Sequence, residues 1–312
     1  MKTKNLPKQP WKKTLKKDRK FLLMCLPAIV FFLIFAYLPM PGIWVAFVRF
    51  DYAKGIFGSP FVGLNNLKFI AMSGKLGMLV RNTVLYNVGF IATSTVMQIL
   101  IALLFNELTN RAFRKYAQSF MILPNFISYV LVGVFSFVIF NNTNGILNSI
   151  LGMFGANPVN VYEKAAAWPM ILVLINLWKG SGYGSIVYFA ALMGMDREML
   201  EAAKVDGATT IQRIRYITLP SLRPTIIILL LLSLGGILHG NFDLFYNVVG
   251  SNNVLLQNST DVLETFIFRA MVSNSNFSTA AAVSFVQSVF GLVVVLATNF
   301  VVKKVEPDYA LF

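Results

Sequence analysis

The sequence DREMLEAAKVDGATTIQRIRYITLP, residues 196–220, is the most informative stretch of the chain. Its pattern predicts two short helices around a turn. Asp196 can cap the first helix, and Gly207 supplies the left-handed residue that ends it. Thr209 and Gln212, three residues later, make a capping box for the second helix, which Pro220 is expected to stop. We call residues 196–220 the hairpin.

The apolar residues of the hairpin are spaced for a helix surface. Ile211, Ile214 and Ile217 are expected to share one face of the second helix, while Arg213 and Arg215 point elsewhere. A hairpin with a mixed apolar and charged surface is suited to docking a soluble partner.

The sequence on either side of the hairpin has the composition of a membrane protein. Of the 312 residues, 56% are hydrophobic and only 13% are charged, whereas a soluble domain carries about 25% charged residues. The mean hydropathy of +0.66 agrees. A water-soluble enzyme is therefore excluded, and a polytopic membrane protein is expected.

Six apolar stretches are long enough to cross roughly 30 Å of hydrocarbon, which takes about 20 residues of helix. Span one to span six cover residues 21–48, 84–105, 120–140, 168–193, 225–248 and 279–302. The stretches are continuously apolar, which favours helices. We predict an all-α polytopic membrane protein with six transmembrane helices in residues 21–302, a basic N-terminal tail (1–20), a cytoplasmic loop (194–223) and a C-terminal tail (303–312).

The basic residues predict which side of the membrane each loop occupies. Nine of the 27 Lys and Arg lie in the first twenty positions. With that tail inside, the cytoplasmic segments hold 19 Lys and Arg and the outer loops hold 7, five of them in residues 49–82. Both termini are therefore expected in the cytoplasm, with the tail near anionic lipid. No nucleic-acid partner is expected, because most of the net charge of +14 lies in this tail.

The first apolar run has a competing interpretation as a cleaved signal peptide. The run is longer than a signal-peptide core, and no clear small-residue cleavage site follows, which favours a retained span. Cys25, the single cysteine, lies in this run, so neither an intrachain disulfide nor a multi-thiolate metal site can form.

Two formal charges lie well inside the predicted spans, Lys179 in span four and Asp243 in span five. At about 1.5 Å per helical residue, they lie roughly 21 and 27 Å from the cytoplasmic face. Charge at membrane depth is normally paired or faces a cavity. We therefore expect Lys179 and Asp243 to form a buried pair.

Aromatic rings and hydrogen-bonding groups surround these two charges. This mixture suits a sugar, whose C–H faces stack on rings while its hydroxyls need donors and acceptors. Two other interpretations stay open. The glycines of this region can serve close helix packing, and its Trp and Tyr residues can be anchors at the membrane interface. The predicted substrate pathway contains Trp178, Lys179, Tyr183, Asn241, Phe242, Asp243 and Tyr246, with Asn125 and Tyr129 as weaker candidates.

The first outer loop has a helical spacing of its own. Phe61, Leu64, Leu67 and Ile70 recur every third residue, which predicts a short helix at the membrane surface. An ordered loop without a ligand fits equally well.

The hairpin also carries a family motif. Glu201-Ala202-Ala203, then Gly207, then nine residues, then Ile217-x-Leu219-Pro220 is similar to the EAA loop, E-A-A-x3-G-x9-I-x-L-P, of permease subunits in binding-protein-dependent ABC importers. From about residue 21 onward, the chain resembles the polysaccharide-type sugar permeases of that group. The similar stretches include residues 60–67, 81–83, 178–186, 223–226 and 261–269.

The resemblance implies a type I ABC importer permease fold in a bacterial cell membrane. It implies that the chain is one of two related permease subunits of an oligosaccharide importer. The other implied partners are two ATP-binding subunits inside the cell and an extracytoplasmic solute-binding protein that delivers the sugar.

In that family, the EAA loop inserts a coupling helix into a groove of the ATP-binding subunit. This role carries over to Glu201, Gly207, Leu219 and Pro220. We expect Asp206, Arg213 and Arg215 to be flanking contacts, with solvated surface charge as the alternative. The expected ATPase-coupling set is Glu201, Ala202, Ala203, Asp206, Gly207, Arg213, Ile217, Leu219 and Pro220.

The sequence contains no recognisable catalytic machinery. No G-x-x-x-x-G-K-[ST] pattern occurs, and one His with one Cys gives no catalytic constellation. We therefore expect no enzyme activity and no cofactor in this chain, with ATP and Mg bound by the partner ATPase. An importer of the same class for an amino acid, peptide or ion remains the alternative, since fold does not fix substrate.

Overall fold

The computed structural model describes residues 19–250 and 253–305. These residues are mostly helical, and their β-structure is a single antiparallel bridge between Val48 and Phe61. The predicted all-α class is therefore confirmed. Residues 1–18 of the basic tail and residues 306–312 of the C-terminal tail lie outside the described residues.

Four of the predicted spans are long helical segments that can each cross a bilayer. Span one combines an α-helix (Arg19–Phe32), a π-helical turn (Leu33–Tyr37) and a 3-10 helix (Met40–Phe47). Spans two, four and six are the α-helices Lys75–Glu107, Trp168–Met193 and Phe277–Val305. Span two begins nine residues before its predicted start.

Spans three and five are broken, contrary to the prediction of continuous helices. Span three consists of Arg111–Phe126 and Tyr129–Phe140, which meet at 90°. Span five is an α-helix only over Arg223–Gly235 and resumes in Phe242–Leu244 and a π-helical segment, Phe245–Val249. Pro124 in span three and the glycines at 235 and 236 in span five disfavour an unbroken helix at these points.

Short elements connect the spans. A short helix does form in the loop after span one, but it covers Asn65–Met72, so Phe61 and Leu64 precede it. Its Ile70 packs into the core. Asn66 fixes this helix by donating from Nδ2 to the carbonyls of Ala46 and Val48, both at 2.9 Å. The other short helices are Gly55–Gly58, Ile146–Met153, Val161–Glu163, Ala165–Ala167, Val254–Leu256, Gln257–Thr260, Leu263–Phe268 and Arg269–Ser273.

The core forms where spans two, four, five and six pack together. At the end opposite the hairpin, which we call the distal end, Trp168 and Leu172 of span four are fully buried against rings such as Phe245. Near the hairpin, Tyr188 and Leu222 belong to a second cluster. The α-helical part of span one contributes no buried residue.

Candidate functional site

The hairpin folds as its capping residues predict. Asp196 caps the helix Arg197–Val205 by accepting from the amide of Glu198 at 2.9 Å. Gly207 follows with a φ of 79°, a left-handed conformation in which a residue with a Cβ is strained. The helix Thr210–Arg213 then begins with a complete capping box between Thr209 and Gln212. The expected turn between two short helices is therefore confirmed.

The predicted end of the second helix is wrong. The chain continues through a π-helical segment, Ile214–Thr218, and a helical turn, Leu219–Ser221, before bending by 54° into span five. Pro220 lies in that short helix and does not end the helical path. The hairpin is thus joined to span five by nearly continuous helix.

The single isoleucine face expected on the second helix does not form. Ile214 packs against the core cluster that contains Tyr188 and Leu222, whereas Ile211 is 77% exposed. Of these two residues, the core cluster reaches only Ile214.

The outer surface of the hairpin combines exposed charges with exposed apolar groups. Glu201 and Asp206 are exposed, and so are Val205, at 88%, and Tyr216, at 69%. Of the other residues in the expected coupling set, Ala202, Leu219 and Pro220 are exposed, and Ala203 and Ile217 are half-buried.

Arg213 connects the hairpin to span two. Its guanidinium donates to the carbonyl of Ala208 at 3.0 Å and to Oγ1 of Thr210 at 3.2 Å. Its Nη2 lies 3.7 Å from a carboxylate oxygen of Glu107, the last residue of the span two helix. The Arg213 side chain is only 13% exposed, so most of its surface contacts residues of this chain.

Lys179 binds the break in span three. Its Nζ donates to the carbonyls of Pro124, Asn125 and Ile127 at 3.3, 2.7 and 2.5 Å. These carbonyls lie at the C-terminal end of the helix Arg111–Phe126, which favours a positive charge, and that of Pro124 also accepts from the amide of Ile127 at 3.2 Å. Lys179 therefore caps the first half of span three, and Asn125 contributes its main chain.

The expected ion pair between Lys179 and Asp243 is wrong. Among the described residues, no ion pair joins the two side chains. The break in span three brings three carbonyl oxygens to Lys179, and Asp243 is exposed on the short helix that follows the break in span five. The ammonium of Lys179 lies 4.8 Å from the ring centroid of Tyr129.

Tyr129 joins the two broken spans. Its hydroxyl accepts a hydrogen bond from Nδ2 of Asn241 at 2.7 Å. Asn241 also caps the helix that restarts span five, because its Oδ1 accepts from the amide of Leu244 at 3.2 Å. Tyr129, a weaker candidate in the sequence, is thus central to the site.

The predicted pathway residues fall into two groups. Phe242 and Tyr246 stack with ring centroids 4.9 Å apart, and both contact Phe268, which the sequence analysis did not include in the pathway. Trp178 and Tyr183 are exposed on span four, and neither ring packs against another aromatic ring in the described parts of the chain.

Three polar residues hold the unwound segment of span five, residues 236–241. Asn87 of span two donates to the carbonyls of residues 237 and 239, and Gln287 of span six donates to that of residue 238. Glu264 accepts from the amide of Gly240 at 2.5 Å and from Gln287 at 2.7 Å. The signal in the sequence was a pair of amides, Asn87 and Gln287, inside apolar spans, where polar residues are costly unless bonded.

Comparisons with known proteins agree with this architecture. Residues 94–308 match the family model described as the binding-protein-dependent transport system inner membrane component. The chain is 30% identical to protein LplB of Bacillus subtilis, covering 96% of this chain and 93% of that protein. It is 31% identical to the polygalacturonan/rhamnogalacturonan transport system permease protein YteP of the same species, covering 92% of this chain and 89% of the relative.

The fold is also that of a solved transporter subunit. A chain of the bacterial ABC transporter involved in the import of the acidic polysaccharide alginate superposes with a TM-score of 0.86 at 31% identity. The match covers 96% of this chain and 100% of that chain. Together with the family match over residues 94–308, this likeness shows that the chain belongs to the inner membrane components of binding-protein-dependent transport systems.

Proposed function

We propose that this protein is the transmembrane permease subunit of an ATP-driven oligosaccharide importer and forms half of the translocation pathway. The observation that carries the proposal is the end-to-end likeness to a subunit of an alginate importer. The relative that carries polygalacturonan and rhamnogalacturonan supports the same class of substrate.

The remaining subunits of the importer follow from the family. A second, related permease completes the pathway, and two ATP-binding subunits bind ATP and Mg and drive the cycle. An extracytoplasmic binding protein delivers the oligosaccharide, as in the alginate transporter solved with an alginate pentasaccharide-bound periplasmic protein. Alternating access of the two permeases to the two sides of the membrane then moves the sugar.

Reconstitution tests this function. The chain is purified with its partner permease and ATPase, placed in proteoliposomes and supplied with its binding protein. Oligosaccharide-loaded binding protein is expected to stimulate ATP hydrolysis and sugar uptake. Stimulation by an amino acid, a peptide or an inorganic ion, with none by any oligosaccharide, would refute the sugar assignment.

The hairpin is the proposed docking element for the ATP-binding subunit. Its exposed carboxylate, Glu201, and its exposed apolar residues, Val205 and Ile211, offer both charge and apolar area to a partner. The turn depends on the positive φ of Gly207.

Glu201→Lys and Gly207→Val are expected to leave the protein inserted but to release the ATPase, because they reverse the docking charge and strain the turn. Gly207→Asn is the matched control, since Asn tolerates a left-handed conformation better than Val. ATPase co-purification and sugar uptake are measured together. Normal uptake in both test variants would exclude the hairpin from coupling.

The pathway is proposed to follow the breaks in spans three and five. Asn241, Phe242, Asp243 and Tyr246 line one part of it, and the exposed rings of Trp178 and Tyr183 line another. Broken helices suit such a site because their free main-chain groups and polar side chains are concentrated beside a cavity.

Both termini are proposed to lie in the cytoplasm, as the Lys and Arg distribution favours. Single cysteines at Asn144 and Ser275 should react with a membrane-impermeant thiol reagent in intact cells, whereas cysteines at Thr109 and Thr210 should not. A Cys25→Ala background removes the native thiol. Labelling at position 210 from outside would reverse the orientation.

A further inference from the structure

A small cavity lies at the distal end, beyond the break in span five. Its volume is about 140 Å³, well below the 300–1,000 Å³ that is typical of pockets for drug-sized ligands. The end of span five and the segment before span six form its walls. Its main lining residues are Tyr246, Asn253, Gln257, Asp261, Phe268 and Arg269.

One wall of the cavity is aromatic. Tyr246 and Phe268 both line it, with ring centroids 5.1 Å apart and planes at 71°. Phe242 packs against both rings, with centroid distances of 4.9 Å. The three rings support one another and do not need a ligand to hold their positions.

The lining also contains an ion pair between Asp261 and Arg269, whose side chains are 5% and 20% exposed. Nη2 of Arg269 donates to Oδ2 of Asp261, and Oγ1 of Thr265 donates to Oδ1 of Asp261 at 2.6 Å. Burial raises the pKa of Asp261, and Thr265 and Arg269 act in the opposite direction. This bond uses one of the five N–H groups of the guanidinium, so Arg269 keeps donors for a ligand.

The main chain around the ion pair is fixed by span two. Nδ2 of Asn82 donates to the carbonyl of Asp261 at 3.1 Å. The amide of Leu263 donates to Oγ1 of Thr83 at 3.0 Å. A site on such a fixed frame loses little entropy when it binds a ligand.

We propose that this cavity is a subsite for one uncharged, hydroxylated sugar ring of the transported oligosaccharide. Rings suit the C–H face of a pyranose, and an adjacent donor and acceptor, Arg269 and Asp261, suit neighbouring hydroxyls. The ion pair has no net charge, and a sugar carboxylate would approach the Asp261 carboxylate. The subsite therefore selects hydroxyls over carboxylates. The proposal rests on the proposed oligosaccharide transport.

Direct sugar binding tests the subsite. The complete transporter is placed in nanodiscs without binding protein, and saturation-transfer NMR measures the Kd of a neutral oligosaccharide. Phe268→Leu removes the ring but keeps an apolar side chain, and it should raise the Kd about three- to tenfold. Phe154→Leu, at an exposed ring away from the cavity, is the matched control and should leave the Kd unchanged.

A charge variant tests the selectivity. Asp261→Asn removes the acceptor charge, so it should weaken binding of the neutral oligosaccharide and strengthen binding of a uronic oligosaccharide of the same length. Size-exclusion profiles check that both variants still assemble. The subsite proposal would be overturned by an unchanged Kd in Phe268→Leu or by a wild-type protein that prefers the uronic sugar. In either case, sugar uptake by the wild type would still support the transport function. Absence of sugar uptake by the wild type would instead refute the transport function.

Discussion

Replacing Lys179 with methionine is the sharpest test of how the broken span three is held. The ammonium donates to three main-chain carbonyls at 2.5–3.3 Å. Lys179 is buried, with 7% of its surface exposed. Methionine fills a similar volume but donates no hydrogen bond, so the variant leaves the three carbonyls without this partner.

The size of the effect follows from two opposing contributions. Hydrogen bonds to charged groups contribute about 1.5–3 kcal/mol each, so three contribute roughly 4–9 kcal/mol. The variant recovers the cost of burying the ammonium, which amounts to several kcal/mol. We therefore expect Lys179→Met to lower the free energy of unfolding by about 3 kcal/mol. At about 2.1 cal/mol/K of unfolding entropy per residue, this corresponds to a fall of roughly 4–5 °C in the apparent Tm of the 312-residue chain.

Thermal unfolding of the purified transporter, followed by size-exclusion fluorescence, measures this change. Lys179→Arg is the matched control, because a guanidinium can also donate to several carbonyls. This variant should lose less than half as much stability as Lys179→Met. Asp243→Asn should change the Tm little, since Asp243 is exposed and has no ion pair with Lys179.

The same variants can also show whether Lys179 pairs with Asp243 instead of binding the carbonyls of span three. If Asp243→Asn destabilised the protein as much as Lys179→Met, and the double variant were no worse than either, the two side chains would form a pair. The carbonyls of span three would then not be the main partners of the ammonium.

Two further variant pairs test helix packing and the hairpin contact. Gly182→Ala should lower stability by about 1–3 kcal/mol because a methyl group there would overlap the main chain at Met121. Gly180→Ala should leave stability unchanged, because nothing lies within 4 Å of its added methyl group. Equal thermal unfolding of the two variants would contradict this expectation. Glu107→Lys and Arg213→Glu should each reduce sugar-stimulated ATP hydrolysis, and the double charge reversal should recover part of it. The pair is partly exposed and contributes about 0.5–1 kcal/mol, and strictly additive losses would mean that it carries no coupling.

The hairpin could be predicted in detail because its signals are local. Asp196, Gly207 and the capping box at Thr209 each satisfy main-chain groups within a few residues of themselves. Such contacts depend little on the rest of the fold. The π-helical continuation after Arg213 has no such local signal, and its first residue, Ile214, packs against a core cluster formed by distant residues such as Tyr188.

The bends of spans three and five could not be predicted from hydropathy. A window of about 20 residues averages over a break, so an apolar run looks the same whether its helix is straight or bent. Pro124 was a visible signal, but proline also occurs in continuous transmembrane helices.

The error at Lys179 and Asp243 has the same origin. Helix arithmetic gives comparable depths only if each span is one straight helix. Span three bends by 90°, and three of its carbonyls at the bend accept hydrogen bonds from Lys179. The polar groups that satisfy an intramembrane charge can therefore be main-chain atoms that a sequence does not display.

The proposed docking hairpin is connected to the proposed pathway through span five. The hairpin continues through Ile214–Thr218 into span five, and the helix Arg223–Gly235 extends for about 20 Å before the unwound segment. A helix of this length transmits displacement with little loss, whereas an unwound segment can bend. The unwound segment is followed by Asn241, which bonds to Tyr129 beside the other break. We infer that motion imposed on the hairpin first changes the geometry where Asn241 bonds to Tyr129. Tyr129→Phe disrupts only this bond, so it should alter sugar-stimulated ATP hydrolysis more than basal hydrolysis. Equal changes in the two rates would show that the junction has no part in coupling.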